Sequence, residues 1–232
     1  MRAGLSVHKI TKQYREQELV LKEVTLEVEE GSFTAIVGPS GSGKSTLLNI
    51  MSGLQKPSSG EVYINGNNIT RFSEKEMANL RRRSLGQIFQ GYYLMSHLTA
   101  EENIRMGLPV SGDSQTVQEL AQLLDIEGIL GQFPRQMSGG QQQRVAIARA
   151  LIKKPQVLFC DEATGALDEL NSKKVIALLH QVRLQYGVTV LFITHNPEIA
   201  RTAQRVITMK DGSVHKDVVN AKPIRAEEMS WA

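Results

Sequence analysis

The stretch Gly38 to Thr46, GPSGSGKST, follows directly on the apolar run Phe33 to Val37, FTAIV. It fits the pattern G-x-x-x-x-G-K-[ST] through Gly38, Gly43, Lys44 and Ser45, and a strand before it with a helix after it is the setting in which such a loop closes on phosphates. Successive backbone N–H groups converge on an anion only where no Cβ intervenes. Gly38, Gly41 and Gly43 are therefore expected to permit the close approach, with Pro39, Ser40, Ser42 and Thr46 completing the lining. A helix is expected to start at Lys44 (KSTLLNIMS) and to end at Gly53, a residue suited to the position just past a helix. Its N-terminal dipole amounts to about half a positive charge, against the roughly four negative charges of a nucleoside triphosphate. Lys44 supplies a full cation, and the Ser45 hydroxyl offers a ligand for Mg²⁺ bridging phosphate oxygens.

The sequence of 232 residues is long enough for one α/β unit with an insertion and for a real core. Hydrophobic residues make up 41% and charged residues 22%, the balance of a water-soluble globular chain, and no run nears the roughly eighteen apolar residues of a membrane span. The start, MRAGLSVHKITKQY, lacks the apolar region of a signal peptide, so a cytoplasmic protein is expected. The single cysteine, Cys160, excludes an internal disulfide and agrees with a reducing compartment. A net charge of +3 is too small to argue for nucleic acid, though it suits the anionic face of a membrane.

Strands are expected over Leu5–Ile10 and Leu19–Val28, which alternate in part, over the buried run Phe33–Val37, and over Glu61–Ile64 leading into an Asn65-Gly66 turn. Ser73 and Glu76 make a capping box for a helix to Arg83, where Arg81, Arg82 and Arg83 read as a solvated helix end. After Leu85–Gln90 comes a mostly helical stretch, with a loop-rich segment at Gly107–Ser114 and a helix over Thr116–Leu124. The core resumes with Val157–Cys160, a helix over Glu169–Tyr186, the strand Val188–Thr194, a short helix from Pro197 and a hairpin turning at Asp211-Gly212. The expected fold is α/β: a mostly parallel sheet with antiparallel N-terminal strands and a helical insertion. Its core takes residues 1–90 and 154–216, the insertion residues 91–153, and residues 217–232 form a tail.

Val157–Asp161, VLFCD, is an apolar run ending in Asp161 and Glu162, and ligands of open α/β sheets sit at the carboxyl ends of strands. An acid there can hold Mg²⁺, and because side chains alternate along a strand, Asp161 and Glu162 should point differently, one to the metal and one to an attacking water. A Glu with a pKa of about 4.3 is a weak base toward water, so Glu162 is expected to orient the water and accept its proton late. Met137–Leu151, MSGGQQQRVAIARAL, opens a second helix with Ser138, Gly139 and Gly140, a second anion-receptive helix start, which suggests that two copies share one triphosphate. His195 follows an apolar strand, where imidazole can hydrogen-bond a phosphate oxygen.

Together the loop at 38–46, Ser138-Gly139-Gly140-Gln141, Val157–Asp161 with Glu162, Ala166-Leu167-Asp168 and His195 resemble the ATP-binding cassette ATPases over nearly the whole chain. The resemblance implies that Tyr14 stacks on adenine, that Gln90 touches Mg²⁺ or the lytic water, and that Ser138 to Gln141 face the γ-phosphate on an opposite subunit. It further implies that Asp168 lies at the dimer seam and that His195 is the switch histidine. Lys44, Gln90, Glu162 and His195 would be the catalytic set, and Ser45, Gln90 and Asp161 the metal ligands, with ATP and Mg²⁺ as cofactors. Within the family the chain is most similar to stand-alone cassettes of the macrolide-exporter, lipoprotein-releasing and cell-division group. These imply an ATP-dependent homodimer on the cytoplasmic face of the membrane, driving a separately encoded membrane permease, with no nucleic-acid partner.

Two departures stand out: Ala163 replaces the proline usual in that group, and the stretch between Glu102 and Met137 is shorter than usual. The region around Gly91-Tyr92-Tyr93 is expected to form the groove for a helix of the membrane partner. A soluble cassette ATPase acting on ribosomes or DNA competes as a reading, but such members carry paired cassettes or long heptad arms, absent here. An ATP-dependent regulatory switch with little turnover is a third.

Overall fold

The computed structural model describes residues 3–15, 18–108 and 114–231, so residues 109–113 of the expected loop and residue 232 of the expected tail lie outside it. The chain runs β1 (Ala3–Arg15), β2 (Glu18–Glu29), β3 (Phe33–Val37), α1 (Lys44–Met51), β4 (Ser59–Ile64), β5 (Asn67–Asn68), α2 (Glu74–Ser84), β6 (Leu85–Phe89), α3 (Ala100–Arg105) and α4 (Ser114–Leu123). It continues with α5 (Gly139–Leu151), β7 (Val157–Asp161), α6 (Glu169–Tyr186), β8 (Thr189–Ile193), α7 (Pro197–Thr202), β9 (Arg205–Lys210) and β10 (Ser213–Val219). A four-stranded antiparallel sheet has the order β2-β1-β4-β5, and a six-stranded sheet the order β10-β9-β3-β8-β7-β6. All neighbours in the second sheet are parallel except the β9–β10 hairpin.

The central strands obey a period of two on both faces. In β7, Leu158 and Cys160 point into one apolar cluster with α5 and α6, while Val157 and Phe159 point into the other with α1 and the antiparallel sheet. In β8, Val190 and Phe192 go to the first cluster, and Leu191 and Ile193 to the second. Strands buried on both sides read as unbroken apolar runs, which is why FTAIV, VLFCD and VTVLFIT stood out. Cys160 is fully buried, and burial, with the neighbouring Asp161, pushes its thiol pKa well up.

The partial alternation of the first two strands has a structural cause. The register slips between Val7↔Leu26, Ile10↔Val24 and Lys12↔Leu21, and Lys9 and Glu23 take positive φ of 47° and 49°. Bulges of this kind insert an unpaired residue and interrupt the in-out pattern. In α2 the capping box is present, with Ser73 Oγ accepting from the Glu76 N–H; Arg82 and Arg83 are exposed, but Arg81 does more than meet solvent. Half-buried Arg81 donates to Gly53 O at 2.6 Å and so ties α2 to the end of α1.

Between β6 and β7 the described residues contain helices α3 to α5 and short 3-10 turns but no strand. One boundary expected from sequence is corrected: the tail does not begin at residue 217. β10 continues to Val219, because Asp217 is held by Arg205 across the hairpin, and Ala226 and Met229 are buried in the core.

Candidate functional site: a glycine-rich loop facing a strand-end acid pair

The loop after β3 curls into α1 through three glycines with positive φ: 148° at Gly38, 79° at Gly41 and 93° at Gly43. Two of them also lie close against other strands. A Cβ on Gly38 would lie 2.2 Å from Met209 O, and one on Gly43 would lie 2.7 Å from Leu21 Cδ2 and 3.0 Å from Val20 O. These two glycines let the loop pack down on β9 and β2. At Gly41 no atom lies within 4 Å of a Cβ, so its requirement is the backbone angle alone. Pro39, Ser40 and Gly41 form the exposed tip, Thr46 is half-buried in the first turn of α1, and the Ser42 hydroxyl is buried with no hydrogen-bond partner among the described residues.

Lys44 is buried, and its ammonium sits within the curl, donating to Gly38 O at 2.9 Å and Pro39 O at 2.8 Å. A lysine has three N–H donors, so this grip fixes the charge in the loop and leaves one donor for an anion.

Ser45, one residue on, donates its hydroxyl to Asp161 Oδ1 at 3.1 Å. The contact joins the start of α1 to the end of β7. Burial pushes the Asp161 carboxyl pKa up and the Ser45 hydrogen bond lowers it; the Glu162 charge raises it further, and Lys44 acts against that. A partly desolvated carboxylate against a hydroxyl, beside a second acid, is a setting that gains from a hard cation with oxygen ligands, so the pair fits Mg²⁺.

Glu162 leaves the strand with a positive φ of 49°, and its N–H donates to Ile193 O at 3.1 Å. This kink turns its side chain away from Asp161 to meet His195, whose Nδ1 lies 3.4 Å from Glu162 Oε1. The two acids therefore point to different partners, through a kink after the strand rather than through alternation along it. The turn beyond closes without proline: Gly165 N–H donates to Glu162 O at 2.8 Å, and the Ala163 methyl is buried in the core. His195 is 70% exposed at the end of β8, where the Thr194 N–H is tied to Ile36 O of β3 at 3.2 Å.

Other expected residues sit apart from this centre. Gln90 follows β6, whose last residue Phe89 pairs with Asp161, so it stands at the same sheet end. Its amide rests against Gly165, 2.7 Å from where a Cβ would be, and among the described residues no hydrogen bond joins it to Ser45 or Asp161. Tyr14 is exposed, its hydroxyl within 2.9 Å of the Gln55 amide and its ring 5.3 Å from Lys12 Nζ. Ser138 caps α5 with a full capping box in which Ser138 N–H donates to Gln141 Oε1 at 2.8 Å, leaving Gly139 and Gly140 at the helix start. No hydrogen bond links 138–141 to the loop at 38–46 among the described residues. Asp168 is the N-cap of α6 and accepts from Asn171 N and Nδ2 at 2.8 and 2.9 Å.

Sequence reasoning missed the residues that space these pieces. A Cβ on Gly140 would lie 2.7 Å from Asn171 Oδ1, and one on Gly139 would lie 2.7 Å from Tyr92 Oη. Arg149 of α5 donates to Tyr92 O at 2.8 Å and also to Tyr93 O, and burial lowers its pKa. Asn171, third in a helix behind an Asp, carried a capping signal, but what it touches depends on contacts distant in sequence.

Known proteins share this arrangement. The family profile described as ABC transporter matches residues 21–165. The chain is 46% identical over 204 residues to the macrolide export ATP-binding/permease protein MacB of Escherichia coli O157:H7, covering 86% of this chain and 31% of that protein. It is 44% identical over 225 residues to the MacB of Photorhabdus laumondii, covering 94% and 35%. The chain thus spans about a third of the length of these curated relatives. Among solved structures, the dimeric bacterial ABC transporter cassette MJ0796 superposes with a TM-score of 0.86 at 37% identity, covering 94% of this chain and 99% of that one. A dimeric post-hydrolysis state of the same cassette, bound to ADP and Pi, matches equally. With a glycine loop, strand-end acids and a capped SGGQ helix in one α/β frame, and a family match covering more than half its length, the chain belongs to the ABC transporter family as an ATP-binding cassette.

Proposed function

We propose that this cassette hydrolyses ATP with Mg²⁺ between two head-to-tail copies and that turnover drives a membrane-embedded permease. The observation that carries the reading is the Ser45–Asp161 contact, with Glu162 and His195 paired beside it at one sheet end. Lys44 holds its charge inside the loop for the β- and γ-phosphates, and Ser45 and Asp161 supply oxygen ligands, with Gln90 approaching from the end of β6. Mg²⁺ held by Ser45 and Asp161 would supply positive charge against the phosphates. Glu162 orients the attacking water and accepts its proton late, and His195 hydrogen-bonds the γ-phosphate. Tyr14 offers its ring to adenine.

Ser138, Gly139, Gly140 and Gln141 of the second copy complete the site from across the seam, where Asp168 also lies. Residues 91–153 move as a helical unit against the core formed by 1–90 and the elements from 154 onward, and Gly91-Tyr92-Tyr93 borders the groove for the permease. No helix among the described residues is long and apolar enough to cross a membrane, and the MacB relatives are named as ATP-binding/permease proteins. The relatives' naming supports a cassette held peripherally by a membrane partner, and the cytoplasmic face is part of the proposal.

The test is Glu162→Gln. It is expected to bind ATP, turn over at least about a hundredfold more slowly and accumulate a dimer on size exclusion. A variant that stays monomeric at saturating ATP overturns the shared site. Crosslinking the same variant in solubilised membranes with ATP should recover a multi-span protein; recovery of ribosomal proteins alone counts against the permease.

A further inference from the structure

α7 has six residues, and isolated helices shorter than about a dozen are marginal without tertiary support. It begins two residues after His195, and both its ends are held by a segment that follows β10. The Asn220 side-chain amide donates to Arg201 O at 2.9 Å and Ala203 O at 3.0 Å, and the Ile224 N–H donates to the same Arg201 O at 3.1 Å. These carbonyls stand at the end of α7, where intrahelical partners run out. In the first turn, the Glu198 carboxylate accepts the Ser230 N–H at 3.2 Å as well as the Arg201 guanidinium at 2.9 Å. Between these anchors Ala226 and Met229 are buried in the apolar cluster that holds Ile199, Ala200 and Ala203, and Ile224 and Trp231 pack against it.

His195 has little else to place it. Its mostly exposed side chain has one ion-pair partner among the described residues, Glu162, at 3.4 Å. The imidazole therefore stands where the backbone puts it, fixed upstream by the Thr194–Ile36 hydrogen bond and downstream by α7.

We propose that Asn220–Trp231 is a positioning strap: by holding both ends of α7 it sets His195 against Glu162, with the Asn220 amide and the Ser230 N–H as its positioning groups. The proposal rests on the reading that His195 acts at the γ-phosphate. The strap tunes a catalytic group through the helix that follows it, which distinguishes it from a residue that binds nucleotide.

The test uses Asn220→Ala and Ser230→Pro, each removing donors from residues outside the core, singly, together and combined with His195→Ala. Without the strap bonds, kcat for ATP should fall about five- to tenfold while KM stays within about twofold, because misplacement of a reacting group is felt in turnover. Amide hydrogen exchange at Ala200 and Ala203 should accelerate. In the His195→Ala background the strap substitutions should cost nothing further, since coupled residues are non-additive. Unchanged kcat in the double variant, a loss that multiplies with His195→Ala, or unchanged exchange in α7 overturns the proposal. Should the unsubstituted protein show no ATPase activity, the functional reading fails by itself; accelerated exchange in the variants then still supports the strap's hold on α7, and unchanged exchange removes it.

Discussion

Acidification should weaken the fold through one side chain, His180. It lies on α6, its ring stacked on Phe33 of β3 at a centroid distance of 4.3 Å. Its Nε2 is 3.1 Å from Thr202 Oγ1, whose own hydroxyl donates to Ile199 O, so Nε2 carries the proton and donates. Burial, followed by the Arg183 charge, lowers its pKa from 6.5 to about 4, with Glu227 acting weakly against this. A depressed pKa means that the folded state resists protonation. The contribution is fully present above the unfolded pKa and is lost as pH falls toward the folded one. Between about pH 7.5 and pH 5 the linkage amounts to about 2 kcal/mol of unfolding free energy, out of about 3.4 kcal/mol in the full window. Urea unfolding at the two pH values, for the protein and for His180→Phe, gives the comparison, the variant losing about 2 kcal/mol less on acidification. The carboxylates whose pKa values are lowered, such as Glu76 and Glu102, titrate below this window and act equally in both proteins. Equal losses within about 0.5 kcal/mol would refute the assignment of a neutral, partly buried imidazole.

Lys44→Ala should abolish ATP binding or turnover, since it removes the one full charge held within the loop, and normal activity in the variant would sink the site assignment. Gly43→Ala places a Cβ 2.7 Å from Leu21 Cδ2 at a φ of 93°. It should destabilise by about 2–4 kcal/mol, visible as a lowered melting temperature even without nucleotide. Replacing Gly91-Tyr92-Tyr93 should uncouple transport in a reconstituted complex and spare the isolated ATPase; loss of the soluble activity contradicts the groove.

The loop at Gly38 and its flanking strand and helix were legible because every requirement is local: a buried apolar run, glycines and a capping register. The same holds for α5 with its Ser138 cap and for α6, which begins at its Asp168 cap and ends at Gly187. Legibility failed where the cause lies elsewhere in the chain. Gly38 and Gly43 are also crowded by β9 and β2, and no local signal reports a carbonyl of Met209. The segment after Asp217 has no periodicity, because its anchors are single hydrogen bonds and two buried side chains, Ala226 and Met229. Bulges at Lys9 and Glu23 likewise blurred the first two strands without leaving a glycine to mark them.

Cys160, the only cysteine in the sequence, is sealed inside β7 with its thiol held in the unreactive protonated form. The native chain is therefore already a silent background for maleimide chemistry. A cysteine introduced at an exposed position such as Tyr93 or Leu170 would be the one accessible sulfhydryl, so a fluorophore or spin label there reports from a known place. Distances between two copies then become measurable with the β7 core left as nature packed it.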